Sequence, residues 1–424
     1  MGGVAPGLGD DIIIVSGHTV TLDQNALVRN INIEAGAILI NSTFDVIGTS
    51  TSPGASPQYI NNGSHNGTGK FILYDNGGTQ LRGNGVTNCN IEYRNYQLKI
   101  TDECNLTING NIQPGTGGNG TTILEAWEGG GGNLIINGSI ITDPIRGGSI
   151  INQTGTIIVN GNVSLLGSSG AAAGSVFENG SFATFNISGN LTLGPNDSYC
   201  QNIGSMIIGG DLLGSGQNDT YFWQETGATV KFGGEVFPEP NGGLFFANSS
   251  ALGGTSEPST VEYNGVVSQN IAFPIDEAYS NLVINNSSIT GVTLNTDITI
   301  NGDLSLMNGL LTIGDYNLNL ADTSHILGVP SSGSMIIATG TGELRRTFST
   351  AGSFVFPVGD NNGTAEYSPV IVDFSAGVYN DAFVGVNLVN EPYPGASGSY
   401  LNRYWNINSS GITDFTCNVQ FDYV

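Results

Sequence analysis

The chain has few cations. Its 424 residues contain 10 Lys and Arg against 35 Asp and Glu, which gives a formal net charge of −25. Nucleic-acid phosphates require a basic surface, and anionic lipid headgroups attract the same kind of surface. The scarcity of Lys and Arg therefore argues against nucleic acid as a partner and against binding to an anionic membrane. An acidic surface is compatible with Ca²⁺, although plain solubility explains the same charge.

Long apolar runs, cysteine pairs and histidine clusters are also missing. No run approaches the roughly 20 apolar residues of a membrane span, so we expect no membrane insertion. The start, MGGVAPGLGDD, lacks the basic and apolar regions of a signal peptide. The cysteines, Cys89, Cys104, Cys200 and Cys417, form no CxxC pair, and one bridge from Cys89 to Cys104 is left open. Three histidines without ligand spacing predict no zinc or iron centre.

Glycine and aliphatic residues are abundant instead. The 64 glycines follow no G-X-Y period, which excludes collagen, and 39% hydrophobic residues are too many for a disordered chain. A folded, turn-rich, β-dominated protein remains. Asn-x-Ser/Thr triplets recur from Asn41 to Asn408 and leave glycosylation open.

A short phrase recurs along the chain. NLTINGNI at 105–112 returns as NLIINGSI at 133, TIIVNGNV at 156, ATFNISGNL at 183, SMIIGGDL at 205 and DITINGDL at 297. Leu106, Ile108, Gly110 and Ile112 fall on alternate positions, and alternate residues of a strand share one face. Each copy therefore predicts aliphatic residues and glycine facing inward. The outward neighbours of these glycines are polar and able to align between copies: Asn109, Asn111, Asn137, Ser139, Asn160, Asn162, Asn190, Asp211, Asn301 and Asp303.

The spacing of the copies predicts the fold class. The first five aligned glycines, from Gly110 to Gly210, lie 21 to 28 residues apart, which is the length of one solenoid coil. We predict an all-β protein with a parallel β-helix over residues 1–330, about 13 coils of roughly 25 residues. An internal joint, where the stack of coils is interrupted, is expected near 253–260. A β-sandwich or a propeller is the competing fold.

A second domain is predicted after GVPSSGSM at 328–335. The phrase disappears there, and Phe, Tyr and Pro become denser in FVFPVGDN, EYSPVIVDF and FVGVNLV. These segments are typical of antiparallel strands, so residues 331–424 are predicted to form a β-sandwich that is truncated in this chain.

The charged residues around the first clear phrase are the main candidates for chemistry. Asp102 and Glu103 precede it, and Arg82, Arg94 and Lys99 lie nearby in sequence. A polysaccharide lyase or hydrolase on a β-helix would need carboxylates that converge with Arg, Lys or Ca²⁺. Separate charges at coil edges explain the same residues, so we assign no catalytic, cofactor-binding or metal-binding residue. Convergence of these groups across adjacent coils would favour an enzyme, whereas scattered groups favour a structural protein.

Four other segments have a composition or a motif that could indicate a binding site. GDNNG at 359–363 and GPNDS at 194–198 are oxygen-rich, but neither has the acidic spacing of a calcium loop, so an ordinary turn is the interpretation. GTGGNG at 115–120 fits GxGxxG, yet no helix-forming segment follows it, and a coil-connecting loop is expected. YFWQETGATVKF at 221–232 is interpreted as core packing or a coil insertion rather than a sugar site.

Four longer segments carry a resemblance to a known group. GDDIIIVSGHTVTLDQNALVRNINIEAGAILI at 9–40 resembles the opening coil of large secreted surface proteins of Bacteroidota. Residues 260–323, with VEYNGVV, YSNLVI and ITINGDLSL, are similar to a module that recurs in them. Residues 340–375 and YLNRYWNINSSG at 400–411 resemble the β-sandwich segment that often follows. Between these segments, the chain matches the group only through the short phrase.

The resemblance implies export, commonly by the type IX route, and a role in adhesion or surface architecture. The sorting domain that it would place at the far C-terminus is not recognisable in CNVQFDYV. We therefore expect a non-catalytic extracellular protein at the cell surface, with glycans, proteins or further copies of itself as partners. The alternatives are a carbohydrate-active β-helix enzyme and a subunit of a self-assembling extracellular filament.

Overall fold

The computed structural model describes residues 6–7, 9–49, 57–74, 78–94, 98–115, 122–126, 132–145, 147–166, 175–216, 218–249 and 257–423. These residues contain β-strands and no helix, and they form a parallel β-solenoid of about 13 turns with antiparallel strands at the C-terminal end. The predicted fold class is therefore confirmed. The chain divides into two compact units. The first consists of Met1–Val230 and Phe237–Leu244, and the second of Lys231–Val236 and Phe245–Val424.

The strands of the first unit are β1 (Asp11–Ile14), β2 (Thr19–Thr21), β3 (Ala26–Val28), β4 (Asn30–Ile33), β5 (Ile38–Ser42), β6 (Val46–Thr49), β7 (Gln58–Asn61), β8 (Ser64–Gly67), β9 (Phe71–Tyr74), β10 (Thr79–Gly83), β11 (Val86–Asn88), β12 (Ile91–Tyr93), β13 (Leu98–Ile108), β14 (Ile112–Pro114), β15 (Thr122–Ala126), β16 (Asn133–Ile136), β17 (Ile140–Ile141), β18 (Ser149–Val159), β19 (Val163–Leu165), β20 (Val176–Ile187), β21 (Leu191–Leu193), β22 (Ser198–Asn202), β23 (Ser205–Ile208), β24 (Leu212–Leu213) and β25 (Thr220–Glu225). Two further strands, β26 (Thr229–Phe232) and β27 (Leu244–Ser249), have residues in both units.

Each coil of the first unit has three faces. The first two faces are formed by separate strands, such as β4 and β5, or by one long strand, such as β13, β18 or β20. Strands pair in parallel with the coils before and after, so that Ile31 lies opposite both Ile12 and Tyr59. Among the described residues, the third faces form one nine-stranded sheet from β3 to β24. Aliphatic and aromatic side chains from all three faces fill the interior.

The recurring phrase forms a coil corner. Leu106 and Ile108 are buried at the end of β13, and Ile112 is buried at the start of β14, as the parity predicts. Gly110 lies in the bend between these strands and not within either one. A Cβ atom on Gly138 would lie 2.4 Å from the carbonyl oxygen of Gly110 in the preceding coil. The glycine is therefore required because the backbones of adjacent coils approach each other closely at this corner.

Substitution of Gly161 tests this close approach. The Gly161→Ala side chain would lie 2.5 Å from the carbonyl oxygen of Gly138, so the two coils would have to separate. We expect the free energy of unfolding to fall by about 2 kcal/mol, the usual size of an overpacking defect. Gly352→Ala is the matched control because its Cβ atom would meet nothing within 4 Å. Urea denaturation followed by circular dichroism measures both variants, and equal effects would contradict the stacking explanation.

The second unit contains β28 (Thr260–Tyr263), β29 (Gln269–Asn270), β30 (Asn281–Asn285), β31 (Val292–Thr293), β32 (Ile298–Ile300), β33 (Leu304–Asn308), β34 (Leu311–Thr312), β35 (Leu318–Leu320), β36 (Ile326–Gly328), β37 (Ile336–Ile337), β38 (Leu344–Phe348), β39 (Gly352–Phe356), β40 (Val358–Asp360), β41 (Glu366–Tyr367), β42 (Val370–Val389) and β43 (Tyr404–Phe421). The strands from β28 to β38, together with β40, stack in parallel from coil to coil. Leu318 lies opposite Leu344, for example, and Ile336 lies opposite Val358.

The parallel coils of the second unit continue past residue 330. The predicted boundary between 330 and 331 falls inside this stack, because coil residues such as Leu344 and Val358 pair in parallel beyond it. Antiparallel pairing begins where β38 and β39 meet β42. The expected joint at 253–260 lies partly outside the described residues, and the chain passes between the two units at residues 231–245.

The long β42–β43 hairpin bends on itself. Its register is irregular between Phe374 and Phe383. Positive φ angles at Asp381 (47°) and Asp414 (49°) mark the bend. The rings of Trp405 and Phe421, at opposite ends of β43, are 4.9 Å apart. The two halves therefore form layers, which is consistent with the predicted sandwich. Within the described part of the chain, β43 pairs only with β42 and leaves its other edge open.

Candidate functional surfaces

An asparagine ladder runs along the outside of the first unit. Asn88 donates from Nδ2 to Asn66 Oδ1, Asn109 to Asn88, and Asn137 to Asn109, each at 2.5 Å. Asn160 donates to Asn137 at 2.6 Å. Asn66 is partly exposed and the other four residues are exposed, and each hydrogen bond joins two consecutive coils. The predicted alignment of outward amides between copies is confirmed for Asn109, Asn137 and Asn160.

A second ladder joins side chains to the backbone at the neighbouring corner position. Asn111 N–H donates to Asn90 Oδ1 at 2.9 Å, and Ser139 N–H donates to Asn111 Oδ1 at 2.8 Å. Asn162 N–H donates to Ser139 Oγ at 3.0 Å, and Asn190 N–H to Asn162 Oδ1 at 2.8 Å. This position requires a short side chain with an acceptor oxygen, which explains why Asn, Ser and Asp occupy it.

A third ladder is fully buried in the first unit. Asn152 donates to Asn179 Oδ1 at 3.1 Å, Asn179 to Asn202 Oδ1 at 2.8 Å, and Asn202 to Gln224 Oε1 at 2.9 Å. The Nδ2 group of Asn202 also donates to the carbonyl of Thr229 at 2.9 Å. Sequence reasoning missed this ladder because it assigned polar residues to the outside. The recurrence of Asn152, Asn179 and Asn202 at coil spacing is the feature of the sequence that could have predicted the ladder.

The exposed ladder makes a modest contribution to stability that can be measured. Asn137→Ala removes the hydrogen bonds to Asn109 and Asn160, and we expect a loss of about 0.5–1 kcal/mol, because water replaces part of each bond. Asn84→Ala, at an exposed position outside the ladder, is the matched control. Thermal denaturation should show a lower midpoint for Asn137→Ala than for Asn84→Ala. Identical midpoints would mean that the ladder does not stabilise the coils.

The charged candidates from the sequence form separate ion pairs. Arg82 Nε lies 3.5 Å from Glu103 Oε2, while Arg94 Nη2 lies 4.0 Å from Glu92 Oε2. Lys70 Nζ lies 2.7 Å from the other oxygen of Glu92. Glu92 is 3% exposed and was not among the candidates. Glu92 therefore contacts two cations, Arg94 and Lys70, whereas Glu103 is paired with Arg82.

Asp102 and Lys99 occupy different parts of β13. Asp102 is exposed, and Lys99 lies opposite Gln80 of the adjacent coil. Among the described residues, no group of three or more His, Cys, Asp or Glu side chains is arranged to hold a metal ion. Apart from Gly115, the GxGxxG match lies outside the described residues.

The GDNNG turn holds a buried arginine. Arg403 Nη1 lies 3.1 Å from Asp360 Oδ2 and donates to Ser368 Oγ at 2.6 Å, and Arg403 Nη2 contacts Glu366. Asp360 Oδ1 accepts from Asn362 N–H at 3.2 Å. The carboxylate of this turn is therefore engaged with Arg403 and with the backbone of the turn itself.

The segment at 221–232 has an inner and an outer row. Phe222 and Val230 are buried, in agreement with the predicted core packing. Tyr221 and Trp223 point outward, with ring centroids 5.6 Å apart, and Tyr199 of the preceding coil lies 5.0 Å from Trp223. In the GPNDS turn, Asn196 N–H donates to Asp219 Oδ2 of the following coil at 2.8 Å, an ordinary turn contact.

A polar cluster is buried among the early coils. Tyr59 Oη lies 3.1 Å from His65 Nδ1 and 2.7 Å from Thr87 Oγ1, and Cys89 Sγ lies 3.9 Å from His65 Nε2. Burial lowers the pKa of His65 to about 4 and raises the pKa of Cys89 to about 12. Both groups are therefore neutral at pH 7, and this Cys–His pair is not an activated nucleophile.

The bridge left open between Cys89 and Cys104 is not formed, since both are buried free thiols. Among the described residues, no helix is long and apolar enough to cross a membrane. Comparison with protein families, with curated proteins and with solved structures gives no match to this chain.

Proposed function

We propose that this chain is a non-catalytic extracellular protein of the cell surface, acting in adhesion or surface architecture. The observation that carries the proposal is the exposed asparagine ladder of the first unit. Its amides repeat at the coil spacing of about 4.8 Å and carry no charge. Such a face suits many shallow, repeated contacts, which is the kind of binding that an adhesive surface needs.

Two further observations support the proposal. The resemblance to secreted Bacteroidota surface proteins implies export and a surface role. Glu103 contacts Arg82, and Glu92 contacts Lys70 and Arg94, so each carboxylate has its own cations, which fits the scattered charges expected of a structural protein. The partners that follow from this function are extracellular glycans or proteins.

Bead adhesion tests this function. Beads coated with the purified chain should adhere under flow to immobilised extracellular polysaccharide, and albumin-coated beads should not. Lysines introduced as Asn109→Lys and Asn137→Lys interrupt the ladder and should reduce adhesion several-fold, whereas Asn84→Lys should not. Failure of the coated beads to adhere would overturn the proposal. Release of reducing ends from the polysaccharide would instead establish the carbohydrate-active enzyme.

The open edge of β43 favours one second candidate, a subunit of an extracellular filament. Its residues, Tyr404–Phe421, include Asp414 but no Lys or Pro, the residues that commonly protect edge strands from pairing. An unprotected edge can accept a strand from a neighbouring molecule. Electron microscopy over a concentration series separates the candidates, because a filament subunit gives fibres of fixed repeat and an adhesin gives single particles.

A further inference from the structure

A groove of about 500 Å³ opens in the second unit, beside the first residues of β43. One wall is the segment 340–343, which leads into β38, and the other is the start of β43 at 405–408. The polar residues that line it are Thr341, Glu343, Asn387, Asn406 and Asn408. None of the sequence motifs pointed to this groove, because its walls come from distant parts of the chain.

Asn387 fixes one wall of the groove. Its Nδ2 group donates to the carbonyls of Ala338 at 2.9 Å, Gly340 at 2.6 Å and Gly342 at 2.9 Å. These contacts determine the orientation of the amide and leave Oδ1 as its acceptor. That oxygen receives a long contact of 3.4 Å from Asn406 Nδ2. A ligand hydroxyl can replace this contact without any rearrangement of the wall.

Glu343 is also held in place. It is 7% exposed and accepts from Arg345 Nε at 2.8 Å and from Asn408 Nδ2. A binding site whose side chains are already positioned loses less conformational entropy when the ligand arrives.

A second groove of about 430 Å³ adjoins the first. The two grooves share Val389, and the second is lined by Asp360, Asn361, Asn390 and Glu391 among others. Its polar side chains are again carboxylates and amides. Because Val389 borders both grooves, a ligand of several units can extend from one into the other. Both volumes fall within the roughly 300–1,000 Å³ typical of ligand sites.

We propose that these two grooves bind a neutral oligosaccharide. Asn387 and Glu343 offer fixed acceptors, Asn406 and Asn408 offer donors, and a sugar hydroxyl both donates and accepts. The proposal goes beyond the adhesive function above, because it places a ligand site in the second unit and not on the exposed asparagine ladder.

Charge and polarity select against other ligands. Arg345 compensates Glu343 and Arg403 compensates Asp360, whereas Glu391 adds a negative charge in a chain of net charge −25. Phosphates, sulfated glycans and uronates are repelled by this arrangement. An acyl chain would bury the amides of the groove without hydrogen-bond partners, which is unfavourable.

Affinity electrophoresis of the whole chain tests the proposal. The neutral probes are dextran, a β-1,3-glucan, a soluble xyloglucan and a galactomannan, and the anionic probes are polygalacturonate and heparin. We expect at least one neutral probe to retard the chain and the anionic probes not to do so. The variant Asn406→Ala with Asn408→Ala should weaken the binding at least tenfold. Asn418→Ala, also exposed on β43 but outside the groove, should bind as the unaltered chain does.

Absence of retardation by all four neutral probes would overturn the proposal, as would binding that survives the double substitution. Circular dichroism verifies that the variants are folded. The groove proposal and the adhesive function fail separately. Bead adhesion through the asparagine ladder should persist in the double variant, and retardation by the oligosaccharide should persist in the variant Asn109→Lys with Asn137→Lys. Loss of retardation in that ladder variant would place the binding outside the groove and overturn the proposal.

Discussion

Replacing Arg403 with leucine is expected to lower the free energy of unfolding by about 3–5 kcal/mol, as removal of one partner of a buried ion pair does. The side chains of Arg403 and Asp360 are 3% and 1% exposed, and Nη1 lies 3.1 Å from Oδ2. Without the guanidinium, the Asp360 carboxylate stays buried with no cation beside it. The hydrogen bond to Ser368 Oγ is lost as well. Urea denaturation followed by circular dichroism measures the change.

Two further variants isolate the charge. Arg29→Leu removes an exposed pair with Asp11, in which both side chains are over 40% exposed, and should leave the unfolding midpoint nearly unchanged. Asp360→Asn in the Arg403→Leu background removes the unpaired negative charge of the carboxylate but keeps an oxygen that accepts from Asn362 N–H. This second substitution should recover part of the lost stability. No recovery would show that the loss comes from packing and not from the unpaired carboxylate.

Acidification is expected to destabilise the first unit through His65. In the unfolded chain a histidine takes up a proton below pH 6.5, whereas burial lowers the pKa of folded His65 to about 4. Between these values the unfolded state binds the extra proton, so the free energy of unfolding decreases as the pH falls. The decrease is about 1.4 kcal/mol per pH unit and about 3 kcal/mol from pH 6.5 to pH 4.

The matched variants are His65→Gln and His18→Gln. Denaturation at pH 7 and at pH 4.5 should show a smaller acid-induced loss for His65→Gln than for the unaltered chain. His18→Gln should lose as much as the unaltered chain, because His18 is exposed. Titration of carboxylates is common to all three proteins and cancels in the comparison. Equal losses in all three would mean that His65 is not the group responsible.

The sequence predicts the coils well because their pattern is local. The alternation of Leu106, Ile108 and Ile112 within one phrase is enough to assign an inward face, and the phrase repeats at coil spacing. The outward amides Asn109 and Asn137 follow from the same alternation. Each of these predictions depends on residues that are close in sequence, so the physics that sets them is visible in a short window.

The interior polar residues and the groove could not be predicted in the same way. Asn179 is buried because Asn152 and Asn202 of adjacent coils satisfy its amide, and no property of one strand reveals that. Asn387 and Asn406 line one groove because of the antiparallel register of β42 and β43. Register between distant segments depends on long-range packing, which a single sequence read in short windows does not encode.

The glycine corner also sets how the protein can change in length. Gly161 contacts the backbone of Gly138 as Gly138 contacts that of Gly110, so each coil offers its successor the same template. Removing residues 137–159 as a block would place Gly161 over Gly110 and bring Asn160 next to Asn109. Removing one or two residues would instead shift every later strand out of register. Length in this protein is therefore quantised, and its viable insertions and deletions are whole coils.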